Sequence, residues 1–212
     1  MSEVKRRYDA SRRREQARAR RRATVLAAQE LFERDGFQAT TMTDIAKRAG
    51  VSAESIYKGF GSKAALAKAV FDMVIAGDDE PVPVAERPEV RSIFAEPDAR
   101  RKIEIYVQGL AGRIQRSAKV QIVIRDGRHA DPTLAAVWEK LIDEGLAGMT
   151  MFGRHLLETG QLRTGIELPT VRDALWNCIA VDHYERLVLQ QRWTLGEYAD
   201  WISRAMIGYL FD

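Results

Sequence analysis

The chain has one cysteine, Cys178, so an intramolecular disulfide and any multi-cysteine metal site are excluded. Cys178 sits in an apolar stretch and reads as a small buried hydrophobe. Histidine is almost as scarce. His129, His155 and His183 stand far apart, with no spacing that would ligate a metal. There is no glycine-rich phosphate loop and no G-x-S-x-G turn, and Asp126-Gly127 lacks the companions of a catalytic motif. No enzyme activity, metal or cofactor is expected. Runs of 18 apolar residues are also missing, so no membrane-spanning helix is expected. The first 22 residues are polar and Arg-rich, unlike a secretory signal, and point to the cytoplasm. Alternating strand patterns are nearly absent; a β-branched cluster at 120–124 is ambiguous by itself but has helical neighbours. Proline is rare too, and four of the six prolines fall within residues 81–97.

What is present is a soluble chain's apolar content, 46% of 212 residues, far above that of a disordered segment. The net charge of +3 hides a partition. Residues 1–77 hold 16 Lys and Arg against 9 Asp and Glu, whereas the remainder holds 17 against 21. A basic front on a mildly acidic back implies that only the front meets a polyanion. A non-sequence-specific architectural DNA-binding protein, the alternative in this class, would be more evenly basic.

Helical spacing dominates. A first helix runs from about residue 12 to 34, with Val25, Ala28, Leu31 and Phe32 on one face and Gly36 stopping it. Thr41-Met42-Thr43-Asp44 reads as a capping box for a second helix through Ala49. Gly50-Val51 turns the chain, Ser52 caps a third helix over about 53–59, and Ser62 caps a fourth. The prolines of 81–97 interrupt this pattern, leaving room for one short helix near 90–94. Helix then resumes from Asp98 to about Ser117. Asp131-Pro132 opens a long helix ending near Gly160. Further capping boxes at Thr170-Val171-Arg172-Asp173 and Thr194-Leu195-Gly196-Glu197 start a helix to about Gln190 and the last helix. The expected fold is all-α. Its parts are a basic arm (1–21), a helix-turn-helix DNA-binding domain (22–77), a Pro-rich linker (78–97), and a helical ligand-binding and dimerisation domain (98–212).

The segment 40–60 carries the sharpest signal: a short helix, a turn with glycine, and a second short helix. Gly50 suits the positive φ of the turn. Ala46 is small where the helices would cross, and Ile45, Ala49, Val51, Ile56 and Phe60 can fill the seam. A seven-residue recognition helix is about 10 Å long, enough for one or two turns in a major groove about 12 Å wide. Glu54 and Ser55 lie in its first turn, where side chains reach base edges. Thr41, Tyr57 and Lys63 suit phosphate contacts, although Tyr57 also suits a core position with its hydroxyl at the surface. Lys47, Arg48 and Lys68 read as a solvated helix face.

Val25-Leu26-Ala27-Ala28, Leu31-Phe32, Gly36-Phe37, Thr40-Thr41-Met42, Ile45-Ala46, Ala49-Gly50-Val51-Ser52, Ile56-Tyr57, Phe60 and Ser62-Lys63 together resemble the signature of the TetR family of bacterial transcriptional regulators, over about residues 22–71. The resemblance implies that Thr41, Tyr57 and Lys63 bind phosphate, and that Thr43, Ala53, Glu54 and Ser55 face the bases of double-stranded DNA. Gly59 stands where the family often has histidine, so that backbone contact falls to Lys58 or to the arm. The resemblance also implies a homodimer joined through its last two helices, and release of DNA when a small molecule enters the C-terminal core.

The C-terminal two-thirds carries no comparable signature. The helix expected over 170–190 is apolar on more than one side, which calls for a cover besides its own core, and a second copy is the economical one. Trp138, Met149, Phe152, His155, Trp176 and His183 are candidates to line an effector pocket, each with plain core packing as its alternative. Asp182-His183 within that apolar helix is the most suggestive pair, as a polar anchor or as a bond across a dimer. The arginines of 12–14 and 18–22 either track a minor groove or form a solubilising tail.

Overall fold

The computed structural model describes residues 2–77 and 88–212, and among them every regular element is helical. In chain order these are α1 (Ser2–Ala39), α2 (Met42–Ala49), α3 (Ala53–Phe60), α4 (Lys63–Ala76), α5 (Pro88–Ala95), α6 (Ala99–Gly127), α7 (Pro132–Leu157), α8 (Leu168–Cys178), α9 (Val181–Tyr184), a π-helical stretch Glu185–Gln190, and α10 (Leu195–Leu210). The short helix expected near 90–94 is α5. Most of the expected linker, residues 78–87, lies outside the described residues.

The chain divides into two compact units. One comprises Met1–Met73 and Val123–Val137, the other Val74–Ile122 and Trp138–Asp212. In the first, Val25, Ala28, Leu31 and Phe32 of α1 are buried together with Ile45 and Ala46 of α2, Ile56 of α3, and Leu66, Ala67 and Val70 of α4. These are the apolar positions that recur at helical spacing. The core of the second unit is built on Ile103, Val107, Leu110 and Ile114 of α6, Met149, Phe152 and Leu156 of α7, Val171 and Leu175 of α8, and Tyr198, Ile202, Met206 and Leu210 of α10.

Three elements depart from the sequence expectation. First, α1 begins at Ser2, about ten residues earlier than expected, because residues 2–35 contain no Gly or Pro and are rich in Arg, Ala, Gln and Glu, all good helix formers. At Gly36 the backbone takes φ 81° and ψ 169° and the helix kinks. Second, α6 does not end near Ser117 but continues to Gly127, so the β-branched cluster at 120–124, which its neighbours already favoured as helix, belongs to one long helix. Third, the helix expected to run unbroken over 170–190 is interrupted. Its start is Leu168, with Pro169 in the first turn and Glu167 at the N-cap; the Thr170 capping box does not form. After Cys178 the chain steps through Ile179 and Ala180 into α9 and the π-helical stretch.

The break has a physical reason. Val171, Leu175 and Cys178 share one helical face, and an unbroken helix would carry Asp182 and Glu185 onto it next. With the break, Val181 and Tyr184 are buried instead and Asp182 is exposed. A break in the helix costs less than burying two carboxylates.

Candidate nucleic-acid interface

Local bonds fix the start of α2. Thr41 is its N-cap: its Oγ1 accepts from the Asp44 N–H at 3.1 Å, while the Thr41 N–H donates to Asp44 Oδ2 at 3.3 Å. The helix ends at Gly50 in the left-handed region (φ 68°), whose N–H returns to the Ala46 carbonyl. Ser52 then caps α3 by accepting from the Ser55 N–H at 3.1 Å. Two short helices therefore follow each other across one turn.

Ile56 is the buried residue of α3, as Ile45 and Ala46 are of α2, and its burial seats the helix. The other side of α3 is turned out. Glu54, Ser55, Tyr57 and Lys58 are exposed, Tyr57 by 53%, and Ala53 is half-buried at the first turn. Tyr57 is thus a surface residue, not a core one. Thr41 and Thr43 are exposed at the start of α2. An apolar seat of one residue under a polar, hydrogen-bonding exterior is the arrangement that lets a helix enter a major groove.

Lys63 stands apart from this set. Its ammonium donates to the carbonyls of Phe37 (2.7 Å) and Thr40 (2.9 Å) and lies 4.2 Å from the centre of the Phe37 ring. Burial lowers its pKa, with Asp131 opposing. Lys63 ties α4 to the end of α1, and two of its three N–H groups are used in doing so. Arg48, read from sequence as a solvated cation, instead forms a two-pronged pair with Glu30, at 2.7 and 3.2 Å, that fastens α2 to α1. Lys68 pairs with Asp72 at 2.6 Å along α4.

Arg21, read from sequence as part of an arm that tracks a minor groove or forms a solubilising tail, packs on α3. Arg21 of α1 places its guanidinium 4.3 Å from the Phe60 ring centre and donates to the Gly59 carbonyl at 3.4 Å. A groove of about 550 Å³ lies between α1 and α3, with Ala17, Arg20 and Thr24 on one wall and Ser52, Ser55 and Gly59 on the other. The run of arginines was visible in the sequence; its helical register against α3 was not.

In the second unit, the six effector candidates have different neighbours. Met149 and Phe152 are buried, with the Tyr106 ring stacked 4.7 Å from Phe152 and its hydroxyl 3.8 Å from Met149 Sδ. Trp138 and Trp176 are half-buried against the same core. His155 meets the Lys102 ammonium at 2.9 Å and the Phe94 ring at 4.5 Å. His183 is half-buried, 5.2 Å from the Trp201 ring, and Asp182 is exposed, which corrects the expectation of a buried Asp182-His183 pair.

Two features here carried no sequence signal. Lys102 is 2% exposed, and its ammonium caps α5 by donating to the carbonyls of Ile93 (3.0 Å) and Phe94 (3.2 Å); burial lowers its pKa. The Tyr198 hydroxyl is buried with no hydrogen-bond partner, and burial raises the pKa of that phenol. Cys178, in the same core, has its thiol pushed up to about 11 by burial, which makes it a poor nucleophile.

Among the described residues no cluster of three metal-ligating side chains occurs, and no helix is long and apolar enough to cross a membrane.

Residues 25–70 match the model of the bacterial regulatory proteins of the tetR family. The whole chain resembles several solved structures. One from Rhodococcus sp., assigned to the TetR-family transcriptional regulators, aligns with a TM-score of 0.71 at 14% identity, covering 92% of this chain and 99% of that one. The transcriptional regulator FadR from Bacillus subtilis, solved with stearoyl-CoA, gives 0.69 at 17% identity over 87% and 96% of the two chains. A regulator from Saccharomonospora viridis, solved with choline, gives 0.63 at 17% over 86% and 92%. At such identities the likeness is one of fold. No protein of curated function resembles the chain closely enough to be recognised by sequence.

Proposed function

We propose that this chain, a member of the TetR family by its N-terminal domain and its fold, is a sequence-specific DNA-binding transcriptional regulator of the cytoplasm. It acts as a homodimer, and a small molecule held in the second unit releases it from a palindromic operator. The observation that carries the reading is the exposed face of α3, where Glu54, Ser55, Tyr57 and Lys58 stand out from a helix whose fully buried residue is Ile56. Glu54 accepts from a cytosine amino group and Ser55 bonds either a donor or an acceptor on a base edge. Tyr57, Thr41 and Lys58 hold phosphates, and Lys63 has one N–H left for another. Thr43 and Ala53 complete the base-facing set.

The stearoyl-CoA and choline bound to similar folds support a small-molecule effector here. In this chain the apolar core around Met149 and Phe152 supplies the walls, and the unpaired Tyr198 hydroxyl supplies a polar anchor. An effector acts by favouring the dimer conformation whose two α3 helices no longer match successive grooves.

Selection of bound fragments from genomic DNA, followed by footprinting, tests the reading. A discrete palindrome is expected; uniform coating of the DNA would instead support an architectural protein. On the selected site, Tyr57→Phe is expected to weaken binding to all sequences about fivefold per protomer, by the roughly 1 kcal/mol of one hydrogen bond. Substitutions at Glu54 or Ser55 are expected to change which sequence is preferred. An unchanged preference after both would remove α3 from base reading.

A further inference from the structure

The helix α1 continues for about five turns beyond its contact with α3, and these turns carry the densest positive charge in the chain. We propose that this part of α1 is a second DNA-binding element: a preformed arginine helix that holds the phosphate backbone of one strand in the groove between α1 and α3. The inference rests on reading α3 as the recognition helix.

Width decides how such a segment can meet DNA. An α-helix with its side chains is about 10–12 Å across, whereas a minor groove is about 6 Å wide. A helical segment cannot thread that groove as an extended arm does. It can lie along the backbone, where each guanidinium meets a phosphate with two parallel hydrogen bonds.

The register of α1 selects the arginines. Arg14, Ala17, Arg21 and Thr24 recur at helical spacing on one stripe, with Arg20 beside it. Ala17, Arg20 and Thr24 form one wall of the groove, opposite Ser52, Ser55 and Gly59. Arg21 is committed to Phe60 and the Gly59 carbonyl, which sets the line of α1 along α3. Arg14 and Arg20 are exposed on or beside that stripe, one turn to either side of Ala17, whose small side chain leaves the groove open. Arg12 and Arg22 lie on the opposite side of the helix. A strand in this groove has arginine on one flank and serine hydroxyls on the other, close to the base-reading residues.

The test compares two double variants in the full chain, R14Q with R20Q and R12Q with R22Q, each removing two charges while keeping a good helix former. Affinity for the site selected by the unaltered protein is measured between about 50 and 200 mM salt, where each neutralised phosphate contributes about 0.9 to the slope of log K against log salt. The groove-side pair is expected to lose at least about tenfold in affinity, and its slope is expected to shrink by about two per bound protomer. The opposite pair is expected to stay within about twofold. Equal losses in both pairs would overturn the proposal in favour of a diffuse polycationic tail, and no loss in the groove-side pair would place the segment away from DNA. If the unaltered protein retains no discrete site, the recognition-helix reading itself fails and the inference falls with it.

Discussion

At the scale of single residues, the molecule separates side chains that hold the fold from side chains that face outward. Ile56 holds α3, Lys63 holds the end of α1, and Lys102 holds α5, whereas Glu54, Tyr57 and Lys58 are exposed. The exposure of that set was legible in the sequence, because polar residues on a short helix with one apolar face have few other places to go. The placement of Lys63 and Lys102 was less legible. A lysine's four-carbon stem can deliver its charge to water or to buried carbonyls, and nothing in the neighbouring residues says which. Tyr198 gives the residue-scale prediction. Its hydroxyl is buried and unpaired, so Tyr198→Phe removes a group that has lost its hydration without gaining a bond. Thermal unfolding is expected to show a midpoint equal to or above that of the unaltered protein. A fall equivalent to more than about 1 kcal/mol would show that the hydroxyl has a partner.

At the scale of elements, the side-chain N-caps were the most legible feature. Thr41, Ser52, Asp131 and Thr194 all cap as their sequence contexts indicate, because a capping bond is made within three or four residues and needs no tertiary information. Thr170 fails for a local reason as well: Pro169 and Leu168 already occupy the first turn. The break after Cys178 was not legible, since it depends on which of two faces meets the core. Two predictions belong here. Gly36 adopts φ 81° and ψ 169°, a region essentially closed to other residues, although a Cβ there would touch nothing within 4 Å. Gly36→Ala should therefore destabilise by about 1–3 kcal/mol through backbone strain alone, measured as a lower midpoint of denaturant unfolding. The second concerns α10. The Glu197 carboxylate accepts from the Thr194 N–H at 2.8 Å and from its hydroxyl at 2.9 Å, and these bonds hold its pKa below the usual glutamate value. A carboxylate lowered on folding stabilises the protein above its unfolded pKa, and that contribution is lost as pH falls through the folded value. Glu197→Ala is thus expected to lower the thermal midpoint near neutral pH, with the gap closing below about pH 4. A gap that persisted in acid would mean that the loss is one of packing.

At the scale of the whole molecule, the all-α class and the resemblance of residues 25–70 to the tetR-family model could be read from the sequence, while the core of the second unit could not. The segment 40–60 is short and contiguous, so its turn and caps are written in order along the chain. The core around Met149 and Phe152 is assembled from α6, α7, α8 and α10, and depends on packing that the sequence does not order. The proposed dimer belongs to this scale. On α10, Trp201 is 38% and Tyr209 45% exposed, two turns apart with Ala205 and Gly208 between them, an apolar stripe suited to a second copy of the same helix. Trp201→Glu is expected to shift the protein to monomer in sedimentation experiments and to abolish binding to a full palindrome. A dimer unchanged by the substitution would move the interface to another face.

The single fully buried side chain of α3 has a consequence for tolerance to change. With Ile56 committed to the interior and Glu54, Ser55, Tyr57 and Lys58 exposed, substitutions on that outer face carry almost no folding penalty. On the proposed reading, the target of α3 can therefore be altered while the scaffold beneath it stays intact.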